Sequence, residues 1–185
     1  DLLAKHAFFK FMTVVAEAAE AVCLLYSDED EIDARGDRFN PCFKPDWNLD
    51  LLLSQNYISH AWVIRTELIQ EIGGFRESLG ESQEYDLLLR SISQLNEMQI
   101  KHIPEILYHC RSVAEPDFGV VTDTGIAALT DYLSANNKAA VANQGIVPNT
   151  YKVSWSIPES TPLVSIIIPT KDNHDVLRCC LMSIL

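Results

Sequence analysis

The sequence predicts an α/β protein. Three observations carry this. The stretch Leu163-Val164-Ser165-Ile166-Ile167-Ile168, stopped by Pro169, is a short buried strand of mainly β-branched residues. It leads through a polar turn to a helix starting near Asp175, which is how an α/β unit begins, yet it lies at the end of the chain. The acidic cluster that would carry chemistry, Asp28 to Asp33, lies far upstream at the carboxyl end of an apolar strand. The chain therefore has the order of a window cut from a longer protein: residues 1–111 end one module, 112–162 form a helical connector and linker, and 163–185 start a second module.

Taken in order, Ala4 to about Ala19 has helical periodicity, with Phe8, Phe11 or Met12, Val15 and Ala19 on one apolar face. Val22 to Tyr26 is a strand that delivers Ser27-Asp28-Glu29-Asp30-Glu31-Ile32-Asp33 at its end. Residues 33–45 read as a polar loop, Leu49 to Ser54 as a short helix and Tyr57 to Ile64 as a second strand. Thr66 caps a helix that Gly73-Gly74 terminates. Ser82 caps the next, whose stripe is Tyr85, Leu88, Leu89, Ile92 and Leu95. Ile100 to His109 is a strand broken at Pro104, and residues 112–123 are loop-like. Gly125 to Asn136 is a helix with Ala127, Ala128, Leu129, Tyr132 and Leu133. Val147 to Pro162, with Pro148 and Pro158 inside it, is the linker proper.

Composition narrows the function classes. The 185 residues can bury one good core, and 48% hydrophobic with 22% charged residues marks a folded protein. The net charge of −12, from 26 acids against 14 bases, excludes a basic nucleic-acid footprint and a strongly basic face for anionic lipid. It leaves room for a phosphate ligand held through a cation or helix N-termini. The five cysteines form no Cys-x-x-Cys pair and are odd in number, so they read as free thiols of a reducing compartment. No apolar run reaches the ~18 residues of a transmembrane helix.

The strings Tyr26-Ser27-Asp28-Glu29-Asp30-Glu31-Ile32-Asp33, Phe43-Lys44-Pro45-Asp46-Trp47, Gln55-Asn56-Tyr57-Ile58, Ile72-Gly73-Gly74-Phe75-Arg76, Gln83-Glu84-Tyr85-Asp86-Leu87 and Ile103-Pro104-Glu105-Ile106-Leu107-Tyr108-His109-Cys110-Arg111 come in a specific order. In that order they resemble the second half of a family 2 glycosyltransferase domain. The likeness is to the bacterial O-antigen and rhamnan-type enzymes that string two such domains together. Val164 to Leu185 resembles the first strand and helix of the following domain.

The resemblance implies a partial GT-A-type (nucleotide-diphospho-sugar transferase) fold, a mixed sheet with flanking helices that is incomplete at its N-terminal side, in which 1–111 is the acceptor-side half. It implies an inverting, cytoplasmic enzyme, peripheral at the inner face of the membrane, with a nucleotide-sugar donor and a glycan or lipid-linked glycan acceptor. The metal-binding DxD motif of the family would precede Asp1, which takes the place of the acid that trails it. Mn²⁺ or Mg²⁺ would be the cofactor of the complete domain. An alternative of another class is a degenerate, non-catalytic module acting as scaffold or glycan-binding surface.

The site residues follow from the same likeness. Glu84 stands where the family places the general base, usually an Asp; inversion needs a carboxylate to take the acceptor hydroxyl proton. Acids in a first helical turn also stabilise the helix dipole by ~0.3–1 kcal/mol without chemistry. Asp86 is read as a helper or helix acid. His109 either joins the metal shell or is a strand-end histidine bonded to backbone. Arg111 either neutralises the leaving phosphate or pairs with an acid. Asp28 and Asp30 have the alternate spacing that can share a hard cation, but their register favours an acidic loop near the acceptor cleft. Trp47 and Trp62 either stack on a sugar or pack in the core. His6, His60, His102 and His174 lack ligand spacing and receive no role. The tail strand Val164–Ile168 is expected to pair with the strand at 22–26 or 58–64, within one chain or in a strand-swapped dimer.

Overall fold

Leu24-Leu25-Tyr26 is bulky and apolar on both sides, the pattern of a strand covered on both faces. The computed structural model, which describes residues 1–18, 21–111, 118–148 and 150–184, puts this run at the centre of the sheet. The elements in order are β1 (Leu2–Leu3), α1 (Ala7–Glu17), β2 (Leu24–Ile32), β3 (Arg38–Cys42), α2 (Leu49–Ser54), β4 (Trp62–Ile64) and α3 (Thr66–Glu71). A 3-10 segment at Glu77–Ser82 leads into α4 (Gln83–Ile92), and another at Glu97–Gln99 into β5 (Ile100–Arg111). Then come α5 (Phe118–Ala135), β6 (Ala140–Gln144), β7 (Tyr151–Trp155) and α6 (His174–Ile184).

The main sheet is mixed, in the order β1-β5-β2-β3, with β4 also on β2. β2 and β5 run parallel; β3 and β4 share the other side of β2 and are antiparallel to it. Two apolar layers cover the sheet. On one face Leu25, Ile103 and Leu107 meet Ala7 and Phe11 of α1. On the other, Leu24, Tyr26 and Ile100 join Leu52, Leu88, Leu89, Leu129 and Leu133 from α2, α4 and α5. The hairpin of β6 and β7 closes this larger core with Ala142 and Tyr151.

The α/β class and the mixed sheet with flanking helices are as the sequence predicts. Several elements differ, each for a physical reason. The acidic run is not a loop: it continues β2, because β5 and β3 offer ladders on both sides out to Ile32. Within the predicted polar loop, Arg38–Cys42 folds back as β3 against Glu29–Ile32. Pro104 does not break β5. It falls where the register jumps from Ser27↔Ile103 to Asp28↔Ile106, so its missing N–H costs no ladder bond. Only Trp62–Ile64 of the second predicted strand pairs; Ser59 and Ala61 take positive φ, which interrupts an extended chain.

The buried face of α1 is rotated from the predicted one: Ala7 and Phe11 are buried, while Phe8, Met12 and Val15 are exposed, and Ala19 lies outside the described residues. Arg65, not Thr66, is the N-cap of α3, and Ser82 caps α4 without a side-chain bond to its first turn. Gly73 and Gly74 do end α3, both at positive φ. Asn48 caps α2 by accepting from the Leu51 N–H at 2.8 Å. Part of the predicted loop at 112–123 belongs to α5, and residues 112–117 lie outside the described residues. Part of the predicted linker is β7.

For pairing within one chain, Val164–Ile168 is the clearest correction. It forms no ladder with any described strand. β2 has no edge to offer, since β5 holds one side and β4 with β3 the other. The following α6 has no buried residue. Among the described residues, no helix is long and apolar enough to cross a membrane.

Candidate functional site

Parallel pairing of β2 with β5 brings the carboxyl ends of both strands to one end of the sheet, where ligands of open α/β sheets bind. Asp28 to Ile32 and Ile106 to Arg111 therefore meet. Asp30 lies opposite His109 in the ladder, and Nδ1 of His109 donates to Asp30 Oδ1 at 2.5 Å. The other carboxylate oxygen accepts from Arg38 Nε at 2.6 Å. Asp28 is also buried: its Oδ1 accepts from the Lys44 backbone N–H at 2.9 Å and from His102 Nε2 at 2.8 Å. The ring of Tyr26 stacks on His102 with centroids 4.9 Å apart, and His102 Nδ1 reaches Asp46 at 3.2 Å. Burial pushes the Tyr26 hydroxyl pKa far up, helped by Tyr57 and nearby carboxylates.

A buried ion pair fixes β3 to the turn before β4. Lys44 Nζ donates to Glu29 Oε2 at 2.8 Å, to the Ile58 carbonyl at 2.5 Å and to the His60 carbonyl at 3.1 Å. Burial lowers the Lys44 pKa, with Glu29 working against that. For Glu29 burial acts to raise the pKa, but His60 and Lys44 outweigh it and hold the carboxyl below its ordinary range.

The N-terminal residue joins the same end of the sheet. β1 pairs with β5 through Leu2↔His109 and Leu3↔Tyr108. Asp1 accepts from the Tyr108 hydroxyl at 3.0 Å and from the Arg111 backbone N–H at 2.9 Å. The Tyr108 ring lies flat on His60, centroids 5.3 Å apart. Burial raises the Tyr108 hydroxyl pKa, and the charges of Cys110, Glu29 and Glu84 add to it. Glu84 is exposed in the first turn of α4.

The predicted residues fall into two sets. Asp1, Asp30, His109 and Arg111 are brought together; Asp28 is one turn of the pleat away, bonded to His102. Asp86 and Trp47 serve the framework. Asp86 is buried, bonded to Arg76 through both carboxylate oxygens and to Arg90 Nε at 2.9 Å. Arg90 in turn donates to the Ile72 and Gly74 carbonyls, so the pair locks α4 to the end of α3. Burial acts to raise the Asp86 pKa, but the two guanidinium groups win and lower it. Trp47 and Trp62 are partly buried against the larger core.

Lys44, His60, His102 and Tyr108 were given no role by the sequence. One signal could have found His102: it sits opposite Tyr26 once β2 and β5 are read as parallel neighbours, with Asp28 next on the same side of β2.

Two clefts open beside β3 and share Glu29 and Cys42. The smaller, about 340 Å³, is bounded by Asp30, Asn40, His60, Cys110 and Arg111. The larger, about 650 Å³, runs from Phe43 to Tyr85 and the β6–β7 turn. Among the described residues no three His, Cys, Asp or Glu side chains converge as a cation shell. Asp28 and Asp30 are each already bonded to a histidine and a further donor. The residues described here do not by themselves fit a divalent cation.

No family model matches the chain. It is 40% identical over 195 residues to the uncharacterized protein y4gI of Sinorhizobium fredii, an alignment that takes in 100% of this chain and 21% of that protein. It is 39% identical over 191 residues to the O-antigen biosynthesis protein RfbC of Myxococcus xanthus, covering 100% of this chain and 15% of that protein. The chain spans about a fifth or less of the length of these curated relatives.

Proposed function

We propose that the chain is the acceptor-side part of an inverting family 2 glycosyltransferase of polysaccharide synthesis. The complete enzyme would move a sugar from a nucleotide-sugar donor to a hydroxyl of a growing surface glycan on the cytoplasmic side of the membrane. The name of the O-antigen biosynthesis relative supports the pathway class. The observation that carries the reading is the meeting of Asp1, Tyr108, His109 and Asp30 at the carboxyl ends of two parallel strands.

The chemistry asks for a solvent-facing carboxylate that can meet an incoming hydroxyl, and Glu84 is exposed at the start of a rigid helix. Glu84 takes the acceptor proton as the acceptor oxygen attacks the anomeric carbon. The bond to the diphosphate breaks from the opposite side, and the anomeric configuration inverts. The exposed Arg111 guanidinium, at the rim of the smaller cleft, offers charge to the leaving phosphate. Asp86 holds α4, and with it Glu84, through Arg76 and Arg90. Mn²⁺ or Mg²⁺ in the complete domain would need ligands beyond Asp1 and His109.

The test is turnover of the full-length protein. Glu84→Gln lowers kcat by ~10²-fold, as expected for loss of a general base, and leaves the melting temperature unchanged. Near-normal turnover of that variant removes Glu84 from the mechanism. No transfer at all by the unaltered full-length protein would point instead to a scaffold or glycan-binding module.

A further inference from the structure

We infer that the larger cleft, between β3 and the β6–β7 hairpin, is a binding site for a neutral, hydroxyl-rich saccharide, the acceptor glycan, and that Val147, Pro148 and Thr150 form part of its wall. The inference rests on the transferase reading above and adds to it the ligand's place and chemical class.

Charge decides what the cleft admits. Its charged lining groups are Glu29, Glu81 and Lys44. The Lys44 ammonium is spent on Glu29 and two carbonyls and is buried. The charge left for a ligand is therefore negative, and a diphosphate or uronate would be repelled. The donor belongs elsewhere, with Arg111 on the other side of β3.

The remaining lining fits a sugar. Phe43 is 71% exposed at the mouth, and an aromatic face attracts the C–H face of a pyranose through its negative quadrupole. Gln55 is an exposed amide able to donate and accept, as paired hydroxyls require, and Glu81 is an exposed acceptor. The volume of about 650 Å³ lies within the usual range for small-ligand sites.

The hairpin explains itself in these terms. β6 and β7 pair only with each other and add nothing to the main sheet. Tyr151 stacks on Tyr85, and Val147, Pro148 and Thr150 line the cleft together with Phe43. Ser82 and Tyr85 line the cleft, so a saccharide seated there lies against the start of α4.

The experiment uses the full-length protein and, as probe, oligosaccharides released by mild acid from the surface polysaccharide of the cells that make it. Phe43→p-benzoylphenylalanine photo-crosslinks the oligosaccharide, and the same replacement at Phe8, on the opposite face of the sheet, does not. Phe43→Ala raises the acceptor KM by about tenfold, and Phe8→Ala leaves it unchanged. Crosslinking at position 43 without any sugar transfer keeps this site and overturns the transferase reading. Transfer with unchanged acceptor KM in Phe43→Ala and no crosslink at position 43 overturns the site and keeps the transferase. An oligosaccharide that binds neither way, with no transfer, overturns both.

Discussion

Tyr151 lies flat against Tyr85, ring centroids 5.4 Å apart and planes 7° from parallel. This one contact ties the β6–β7 hairpin to the helix that begins with Gln83-Glu84. It depends on Gly125 of α5: a Cβ there would lie 1.9 Å from the Tyr151 hydroxyl.

Gly125→Ala is therefore expected to lower stability by ~1–2 kcal/mol, because overpacking outweighs the ~1 kcal/mol of helix propensity that alanine adds. Tyr151→Ala costs ~3 kcal/mol as a buried aromatic truncation. Denaturant titration of the double variant is the check. The penalty at position 125 should vanish once Tyr151 is gone, and simple additivity would sink the explanation.

Asp86 is the second target. Its carboxyl pKa in the fold is below the unfolded value near 3.8, so its contribution is complete above about pH 4 and is lost as pH falls through the folded value. Asp86→Asn should cost ~3 kcal/mol at neutral pH by leaving Arg76 and Arg90 without their carboxylate. The gap between wild type and variant should close as the solution is made acid. A gap that stays constant from pH 7 to pH 2 would contradict the assignment.

A third prediction concerns cations. Asp28 and Asp30 are bonded to His102 and His109 and are not free to share an ion. Calorimetric titration of this chain with Mn²⁺ should detect no micromolar site at these two acids. Binding of that strength, lost in Asp28→Asn, would show that the strand-end acids form the metal site after all.

The fourth is a local one. Asn48→Ala removes the bond to the Leu51 N–H and should cost ~1 kcal/mol. Replacement by Asp should restore it, and thermal melts of the three forms decide.

What the sequence made legible was local. The helices at 49–54, 66–71 and 83–92 follow from their own periodicity and from the Gly73-Gly74 stop. Strands depend on distant partners, and there the reading failed in both directions. Arg38-Phe39-Asn40-Pro41-Cys42 has little strand character, yet it pairs because β2 lies beside it. Val164 to Ile168 has the strongest strand character in the chain and pairs with no described strand. The face of α1 went wrong for a similar reason: Phe8 and Phe11 are equally apolar, and only the position of Leu25, Ile103 and Leu107 selects Phe11. At the site, carboxylates were identified by type, but their histidine partners come from parallel pairing, which no local pattern announces.

The same pairing sets a timetable for folding. Asp30 and His109 meet across a sequence separation of 79. At ~5–20 residues per second, a ribosome needs about 4–16 s to make that stretch. During that interval β2 can acquire β3 and β4, but its other edge stays bare, and such edges recruit foreign strands. Asp28, Glu29, Asp30 and Glu31 lie along that edge. Their mutual repulsion discourages a second nascent chain from docking there until β5 arrives with His109. The acids that frame the candidate site thus also act as guards during synthesis, and neutralising them should show first as loss of soluble yield.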